Sequence, residues 1–598
     1  MLSRLSYIFC AIVMICGCFF FYPKWNAPRG EAAIGWDVSG YYWYIPSVVI
    51  YKDLKYQRFA DTVLQKYQPT PEIQQFSRYP DSSCVLTYSS GMAFMYLPLF
   101  TVAHILAKPL GYPPDGFSPP YQFALQVGSM LFALFGLWYF RKLLRFFFED
   151  KIVAILLLLL VIGTNYLNYA SIDGPMTHSW LFTLYTFLFL NTYYFYRSPA
   201  MKYAIRIGLL NGLMILIRPS EMVGVLIPIL WGMETISMQA IREKLLFFKQ
   251  HLSKLLVAVI CVILVGSIQM FYWKYVSGHW LVFSYGGDDK GFTWLPPHTD
   301  VYMFSYRSGW IRYTPLMLLA LIGIIPFLKN GKNKVAIMAF LLLNLYVVSA
   351  WDIWWYGGRA MIQSYVAWFF PMGALVQTMF QRRWLQWIMI PVVILFSYIN
   401  IWMIIQAHRG TGLLDVDNMT KAYYMRVIGR WHPGNLEQLD KLKDTDELFE
   451  GTPTDMKEVY SNDFESDTSI HAPEQPIRGN VSDYVSADRE YSSNMVFALP
   501  DHSPRWLRVT ADFRFAHKQW EVWKMPQFVV EFMSKGKSIK RNNIRPGKFI
   551  NENETKNEFI DVKIPKAPFD SVKVYFWSAG SNWDMLMDNV SVSTFNEK

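Results

Sequence analysis

The sequence predicts a polytopic α-helical membrane protein that carries a C-terminal β-sandwich. Three observations predict this fold class. Long apolar stretches recur between residues 5 and 406 of the 598-residue chain, and hydrophobic residues make up 53% of the whole. The Lys and Arg residues between these stretches can be placed on one side of a membrane. From about residue 475 apolar and polar residues alternate, which is typical of half-buried strands.

The apolar stretches predict about eleven transmembrane helices, because a span needs roughly 20 mostly apolar residues. The predicted spans cover roughly residues 5–22, 120–140, 152–169, 177–196, 203–217, 221–238, 254–275, 311–328, 335–350, 361–379 and 384–406. No small-residue cleavage site follows the first stretch, so we expect a retained signal anchor.

The basic residues orient these spans, since cytoplasmic loops carry an excess of Lys and Arg. With Arg4 in the cytoplasm, the basic loops after the second, fourth, sixth, eighth and tenth spans are also inside. The loops 23–119, 170–177, 218–221, 276–310 and 351–360, and the tail from about 407, then lie outside. The short membrane loops favour a bacterial inner membrane, with a cytoplasmic N-terminus and a periplasmic C-terminal domain.

The apolar stretch from Met92 to Ala107 is the exception. It is short, it contains Pro98 and His104, and a Pro/Gly-rich segment follows it. Runs of this length are more often interfacial or re-entrant than membrane-spanning. We therefore expect an interfacial helix within the external loop, and this keeps the later basic loops inside.

Composition divides the chain into three regions. Residues 1–406 form the predicted membrane domain. Residues 407–474 include a strongly acidic stretch, which predicts a solvated linker or a loosely packed helical connector. Residues 475–598 hold the alternating segments 506–515, 527–533, 558–564, 571–577 and 586–594. Short alternating strands with turn residues between them predict a β-sandwich.

Several classes of function are excluded by what the sequence lacks. The net charge of +10 reflects basic membrane loops rather than a basic stripe with stacking aromatics, so no nucleic-acid partner is expected. The five cysteines show neither a disulfide framework nor zinc spacing. No phosphate-binding loop, dinucleotide fingerprint, HExxH or GxSxG motif is present. We expect no cofactor and no metal.

The first external loop supplies the first candidate catalytic residue. Asp37 follows the first span and is surrounded by Trp36, Tyr41, Tyr42 and other aromatic residues that favour the membrane surface. A carboxylate held there could act as a general base toward an acceptor hydroxyl. Alternatively, Asp37 caps the helix that begins near Gly40.

Three further candidates stand at span ends on the same side. Asp173 and His178, in SIDGPMTHSW, could contact a polar ligand, or Asp173 could cap a helix with Pro175 in its first turn. Arg218 ends the fifth span. An arginine near the membrane marks a functional site by default, and snorkelling to the interface is the alternative.

The two late external loops are rich in aromatic and basic residues. Four residues of these loops are candidates for binding a sugar phosphate: Tyr285, Arg307, Arg312 and Arg359. Aromatic rings stack on sugars, and guanidinium groups match phosphate oxygens. Asp288 and Asp289 could be no more than a turn. The segment with Asp352 and Arg359 could be an interfacial aromatic anchor.

The membrane region resembles GT-C glycosyltransferases with a glycosyltransferase-39-like core, such as protein O-mannosyltransferases and lipid A aminoarabinose transferases. The resemblance lies in WDVSGYYWYIP, IDGPMTH, YSSGMAFMYLPLF, GLLNGLMILIRPS, FSYRSGWIRYTP and WWYGGRA, and it covers about residues 1–406. The tail, with MDNVSVST, resembles jelly-roll carbohydrate-binding modules, in which Trp577 and Trp583 could stack on glycan or close the sandwich.

The resemblance implies an enzyme that takes a sugar from a polyprenyl-phosphate donor on the extracytoplasmic face. Asp37 would deprotonate the acceptor hydroxyl and the anomeric carbon would be inverted. Asp173 would be the second catalytic acid. Many relatives carry two adjacent acids in loop one, whereas Asp37 lies between Trp36 and Val38. This departure argues against a metal there. The acceptor would be a glycan, a lipid or a protein, and membrane lipid is a further partner.

Two other functions are compatible with the sequence. A transporter or flippase of lipid-linked glycan would need polar residues along a path through the bilayer, whereas most charges here stand at span ends. Uptake into sealed vesicles without glycosidic bond formation would identify it. A non-catalytic scaffold would lose all function on deletion of residues 415–598, whereas an enzyme core would keep some transfer.

Overall fold

The computed structural model describes residues 1–598 except 72, 286–290, 352–355, 409–412, 415–418, 433–435, 468, 473, 502, 520 and 598. The chain divides into two compact units, Met1–His408 and Arg409–Lys598. The first unit is mostly helical and the second is rich in β-strands.

The first unit is built mainly from helices, most of which are apolar. Its helices are α1 Leu2–Cys16, α2 Trp36–Tyr42, α3 Tyr44–Val49, α4 Ala60–Tyr67, α5 Gly91–Ala107, α6 Pro119–Leu144, α7 Asp150–Gly163, α8 Thr177–Arg197, α9 Met201–Ile217, α10 Leu226–Leu230, α11 Met238–Gln250, α12 Leu252–Ser277, α13 Thr299–Phe304, α14 Trp310–Tyr313, α15 Met317–Asn330, α16 Lys334–Ala350, α17 Tyr365–Gln381 and α18 Arg383–His408. A small hairpin, β1 Phe76–Arg78 with β2 Cys84–Leu86, lies in the first long loop.

The helix lengths and composition agree with an integral membrane protein. Among the described residues, four helices are long and apolar enough to cross a membrane: Leu2–Asn26, Pro119–Leu144, Leu252–Ser277 and Arg383–His408. Shorter apolar helices cover Gly91–Ala107, Pro219–Leu230, Met317–Asn330 and Lys334–Ala350. The total of about eleven spans stays a prediction.

The predicted span 221–238 is interrupted in the structure. A 3₁₀ helix over Pro219–Val225 leads into the short α10, which ends before Trp231. Pro219 and Pro228 lack the amide hydrogen that a continuous helix needs. Residue 238 instead begins the exposed helix α11, so this segment is not one continuous helix.

Helix α5 contacts the end of α9 near its own start and the start of α6 near its own end. A side chain at Gly91, where α5 begins, would clash with Ile217 at the end of α9. Near its other end, the His104 ring lies 2.6 Å from the Tyr121 hydroxyl at the start of α6. In the topology predicted from the sequence, the end of α9 and the start of α6 lie on the same side. Both contacts are compatible with an interfacial α5, whose position stays a prediction.

The second unit contains two antiparallel sheets. Its elements are α19 Lys421–Val427, α20 Leu436–Lys441, β3 Pro453–Asn462, β4 Asp483–Val485, β5 Met495–Phe497, β6 Trp506–Arg514, β7 Gln527–Ser534, β8 Lys537–Ile544, β9 Lys556–Lys563, β10 Ser571–Trp577 and β11 Met585–Glu597. One sheet has the order β5-β10-β7-β8; the other has β3-β11-β6-β9, with β4 also paired to β11.

The two sheets share one apolar core. Phe528 and Phe576 from the first sheet and Phe513 from the second are buried in the same cluster. The alternation that predicted strands near 506–515 and 571–577 places these side chains there. Trp577 is half-buried and donates to Glu490, and Trp583 is 45% exposed. The jelly-roll connectivity and glycan binding stay predictions.

Part of the predicted acidic connector belongs to this sheet structure. Residues 453–462 form β3, which pairs along β11. Asp444 accepts hydrogen bonds from Arg545 and Lys548, and Glu447 pairs with Lys540. Acidic residues that suggested a solvated linker are thus partners for basic residues in β8 and in the turn that follows it. Local composition does not reveal this long-range pairing.

Candidate functional site

Asp37 stands in the first turn of α2, directly after a strained residue. Trp36 has φ of +48°, a left-handed conformation that is unfavourable for a residue with a side chain. Its amide donates to the Pro69 carbonyl at 3.0 Å, which helps to hold the turn. Strain of this kind persists where the surroundings impose it, and it is often found at functional sites.

The two oxygens of the Asp37 carboxylate have different partners. Tyr88 donates its hydroxyl to one oxygen at 2.9 Å, and Arg359 pairs with the other at 2.7 Å. The Asp37 side chain remains 26% exposed. The carboxylate is therefore oriented from two directions and still reachable.

Arg359 is positioned by a glycine turn. Gly357 and Gly358 have φ of +64° and +59°, where a side chain would be strained. The Gly357 carbonyl accepts from Asn165 at 2.9 Å, and the Gly358 amide donates to the Ser308 carbonyl at 3.1 Å. The GGR segment therefore aims its guanidinium at a carboxylate 322 positions earlier in the sequence.

Three tyrosines line the site around Asp37. The Tyr88 ring lies 4.5 Å from that of Tyr41 and 5.7 Å from that of Tyr285. A Cβ at Gly40 would clash with the Tyr88 ring, so this glycine admits the ring beside α2. Burial raises the pKa of Tyr88 well above its usual value, and Asp37 adds to the effect. Tyr88 therefore stays protonated and donates to Asp37.

Arg218 faces the same group of residues. It is half-buried and interacts electrostatically with Tyr41, Glu221, Tyr285 and Arg359. Its side chain makes no hydrogen bond or ion pair with any residue that the structure describes. Two guanidinium groups lie near each other here, and one of them makes no ion pair with a described residue, so the site is suitable for an anionic ligand.

A chain of buried polar groups lies next to these residues. The His178 ring is 3.3 Å from the Gln363 side-chain oxygen, and Gln363 donates to Glu221 at 3.1 Å. Tyr185 donates to the other Glu221 oxygen at 2.8 Å. His178 also packs against the Tyr169 ring at 5.4 Å. The chain fixes His178 on α8.

Asp173 belongs to a separate cluster. It pairs with Lys24 at 2.7 Å and accepts from Asn168 at 2.9 Å. The His408 ring lies 2.6 Å from the Asn168 oxygen. Burial would raise the pKa of Asp173, but Lys24, His408 and Asn168 outweigh it and lower the pKa to about 2. Asp173 is a satisfied carboxylate.

The structure does not join Arg307 and Arg312 to the Asp37 group. Arg307 is exposed, and it contacts none of that group among the described residues. Arg312 lies 3.9 Å over the Tyr306 ring and donates to the Phe304 carbonyl. Asp288, Asp289 and Asp352 lie outside the described residues.

Sequence reasoning missed several residues of these clusters. They are Lys24, Tyr88, Asn165, Asn168, Tyr169, Glu221, Gln363 and His408. Two carried a usable signal. Lys24 is a basic residue on the external side of the first span, against the usual distribution. Glu221 is a carboxylate at the start of an apolar stretch, and such residues are functional candidates by default.

The described residues offer no obvious metal site. No group of three or more His, Cys, Asp or Glu side chains among them is arranged to hold a metal ion. The cationic residues Arg218 and Arg359 are instead the groups available to bind an anion.

No model of a known protein family matches the chain, and no curated protein sequence matches it. The chain is similar to the Archaeoglobus fulgidus oligosaccharyltransferase in the apo form, with a TM-score of 0.42 and 11% identity over 68% of this chain and 56% of that one. It is similar to arabinosyltransferase EmbB from Mycobacterium smegmatis, with a TM-score of 0.38 and 8% identity over 98% and 64%.

A third solved structure, a Family 16 Carbohydrate Binding Module-2, has a TM-score of 0.16 and 18% identity over 20% of this chain and 81% of that one. The chain spans less than two thirds of each of the two membrane enzymes. Those two neighbours are glycosyltransferases, the class that the membrane region resembles in sequence.

Proposed function

We propose that the protein is a membrane glycosyltransferase that moves a sugar from a polyprenyl-phosphate donor to an acceptor hydroxyl. The observation that carries the proposal is the arrangement of Asp37, Arg359 and Arg218. A reachable carboxylate is paired with one guanidinium. A second guanidinium lies nearby, which interacts electrostatically with Glu221 but makes no ion pair with a described residue. A general base and an anion-binding group are the two parts that such a transfer requires.

In the proposed reaction Asp37 takes the proton of the acceptor hydroxyl while the oxygen attacks the anomeric carbon. The bond between that carbon and the phosphate oxygen breaks, and its electron pair leaves with the polyprenyl phosphate. Because attack and departure occur on opposite faces of the sugar, the anomeric configuration inverts. Arg218 and Arg359 stabilise the negative charge that develops on the phosphate.

The ion pair between Asp37 and Arg359 gives Arg359 a second task. In the ligand-free arrangement Arg359 pairs with Asp37. A donor phosphate beside Arg218 would attract the same guanidinium. Transfer of Arg359 from the carboxylate to the phosphate would free one Asp37 oxygen for the acceptor proton. Donor binding would then activate the base.

The geometry favours some of the sequence-predicted residues over others. Tyr285 and His178 remain candidates for sugar contact, because Tyr285 lines the Asp37 site and His178 is fixed close by. Arg307 and Arg312 are less favoured as phosphate ligands than Arg218. Asp173, paired with Lys24, is better suited to joining the first external segment to the loop before α8.

The location completes the proposal. We infer a bacterial inner membrane with this site and the C-terminal β-unit on the periplasmic face, as the distribution of Lys and Arg suggests. The acceptor would be a glycan, a lipid or a protein of the cell envelope. Residues 1–406 would form the catalytic domain and residues 475–598 an accessory domain.

The direct test is Asp37→Asn in the full-length protein. The purified protein in liposomes is given a panel of polyprenyl-phosphate sugars, with envelope membranes as the source of acceptor, and release of free polyprenyl phosphate is measured. We expect wild type to consume at least one donor and Asp37→Asn to be slower by about 10²- to 10⁴-fold, the usual contribution of a general base.

Asp61→Asn is the matched control, because Asp61 lies in the same loop but pairs with Arg78 at the exposed surface. It should keep wild-type turnover. Full turnover by a folded Asp37→Asn variant would refute the assignment of the base. Uptake of donor into vesicles with no release of polyprenyl phosphate would instead identify a transporter.

A further inference from the structure

A cleft of about 640 Å³ lies on the helical surface between α6, α8 and α9. Helix α8 packs against both of the others and forms its floor. Lining residues recur at helical spacing, with Phe135, Tyr139 and Lys142 on α6 and Tyr203 and Arg206 on α9. The cleft therefore follows the helix axes.

The cleft is at the membrane face opposite the Asp37 site. The Gln122 and Gln126 side chains, near the start of α6, accept from backbone amides of the first external loop. Lys142 is 16 residues beyond Gln126, about 24 Å along the helix axis. Arg206 is 12 residues before Arg218, about 18 Å away by the same rise. Neither basic residue belongs to the proposed catalytic machinery.

The two ends of the cleft differ in chemistry. Lys142 and Arg206 mark the end nearest the membrane surface, and neither forms an ion pair with a residue within the described parts of the chain. Lys142 lies about 6 Å from the Tyr139 and Tyr194 rings. Both basic side chains are exposed. Two such cations at a membrane surface favour an anionic group.

Deeper in the cleft the walls are apolar. Phe135 and Phe187 lie toward this end, with Leu209 and Leu213 on the facing helix. Phe135 is 49% exposed and Leu209 is 45% exposed, which suits contact with hydrocarbon. From Lys142 to Phe135 the helix rises about 10 Å. This is about two thirds of one leaflet's hydrocarbon depth of about 15 Å.

We propose that this cleft binds an anionic phospholipid of the leaflet opposite the Asp37 site. Lys142 and Arg206 hold the headgroup phosphate, and an acyl chain lies along Phe135, Phe187 and Leu213. A soluble anion would leave the apolar walls uncovered. A zwitterionic lipid would gain less from the two cations. An anionic lipid has its charge at the membrane surface and its hydrocarbon below it, which matches the cations and the apolar walls of the cleft.

Native mass spectrometry of the full-length protein in detergent tests the proposal, with phosphatidylglycerol, phosphatidylcholine and inorganic phosphate as probes. Wild type should retain phosphatidylglycerol and little phosphatidylcholine. Lys142→Ala/Arg206→Ala should bind phosphatidylglycerol about 25-fold more weakly, since each basic residue near an anionic surface contributes about fivefold. Arg382→Ala/Arg383→Ala should bind it as wild type does.

The control pair removes the same charge, because Arg382 and Arg383 are exposed at the start of α18 on the same membrane face. Leu213→Trp tests the apolar part. It keeps both cations, but the larger side chain fills the part of the cleft where the acyl chain would lie. This variant should therefore also lose the lipid. If the double alanine variant fails to fold, Lys142→Gln/Arg206→Gln and Leu213→Trp carry the test, with the lipid-induced rise in unfolding temperature as readout.

Equal retention of phosphatidylglycerol by wild type, the alanine pair and Leu213→Trp would overturn the proposal. Equal retention of phosphatidylcholine by wild type would overturn the selectivity for anionic lipid. Stabilisation by inorganic phosphate as strong as that by phosphatidylglycerol, with no effect of Leu213→Trp, would assign the cations to a soluble anion and overturn the lipid site.

Discussion

Asp37 and Asp173 are both carboxylates in predicted external loops, and their different surroundings lead us to propose different roles for them. Asp37 shares its oxygens between Tyr88 and Arg359. Asp173 pairs with Lys24 and accepts from Asn168, and its pKa is lowered to about 2. A carboxyl with so low a pKa is a weak base near neutral pH. We therefore expect Asp37 to be the catalytic base and Asp173 to have a structural role, although the sequence places both acids where a catalytic residue is expected.

The largest expected effect separates the two carboxylates. Asp37→Asn should lower donor turnover by about 10²-fold or more. It should also cost stability, because Arg359 loses its partner in a site about as buried as that of Lys24. Asp173→Asn should affect stability without lowering turnover. It should keep turnover per folded molecule within about threefold and lose on the order of 2 kcal/mol of stability, because Lys24 is left without its partner in a partly buried site.

Thermal unfolding in detergent and turnover in liposomes measure the two effects on the same preparations. Asp61→Asn serves as control for both, since it removes an exposed carboxylate. A loss of turnover for Asp173→Asn as large as that for Asp37→Asn, at unchanged stability, would place Asp173 in the reaction and remove the distinction.

The next effect concerns the cations around Asp37. Arg218→Ala should raise the donor KM by about 10- to 100-fold, the range for losing a charge-assisted hydrogen bond of about 1.5–3 kcal/mol. Arg359→Ala should also lower kcat, because Arg359 contacts both the base and, in our proposal, the phosphate. Steady-state kinetics with varied donor separates the two. An unchanged donor KM for Arg218→Ala would contradict its role in phosphate binding.

Lowering the pH should change the contribution of Asp173 to the stability of the folded protein. The pKa of Asp173 is lowered in the folded protein relative to about 3.9 in an unfolded chain. Its stabilisation is therefore fully present at neutral pH and is lost as the pH falls through about 4 toward 2. The stability difference between wild type and Asp173→Asn should shrink over this range. Unfolding temperatures at pH 7, 5, 4 and 3 measure it, and a constant difference would contradict the assigned pKa.

Hydropathy and alternation are local, so the sequence was sufficient to predict an apolar, mostly helical first region and a β-rich second region. It predicted the helices near 120–140 and 254–275 and the strands near 506–515 and 571–577. It also selected Asp37 and Arg359 as candidates. It could not pair them, since they are 322 positions apart. Only the folded chain brings them together.

Other misses have physical causes of two kinds. Pro228 and the 3₁₀ helix before it interrupt a stretch that looks continuous in hydropathy. Strand β3 has an acidic composition that favours solvent, and its partner β11 lies more than a hundred residues away. Glu221 was overlooked because its partners Tyr185 and Gln363 come from other helices. The prolines act locally, whereas long-range contacts decide the cases of β3 and Glu221.

The smallest effect is expected at Arg307, and it tests whether position or chemical type selects the donor ligands. Arg307 and Arg218 are both arginines in predicted external loops, but Arg307 is exposed and contacts none of the Asp37 group among the described residues. A surface arginine without such contacts contributes little. Arg307→Ala should therefore change donor KM and kcat by less than about twofold, whereas Arg218→Ala should change the KM by at least about tenfold. A tenfold rise in KM for Arg307→Ala would mean that the loop holding Arg307 moves onto the bound donor, and the ligand-free arrangement would then not define the phosphate site.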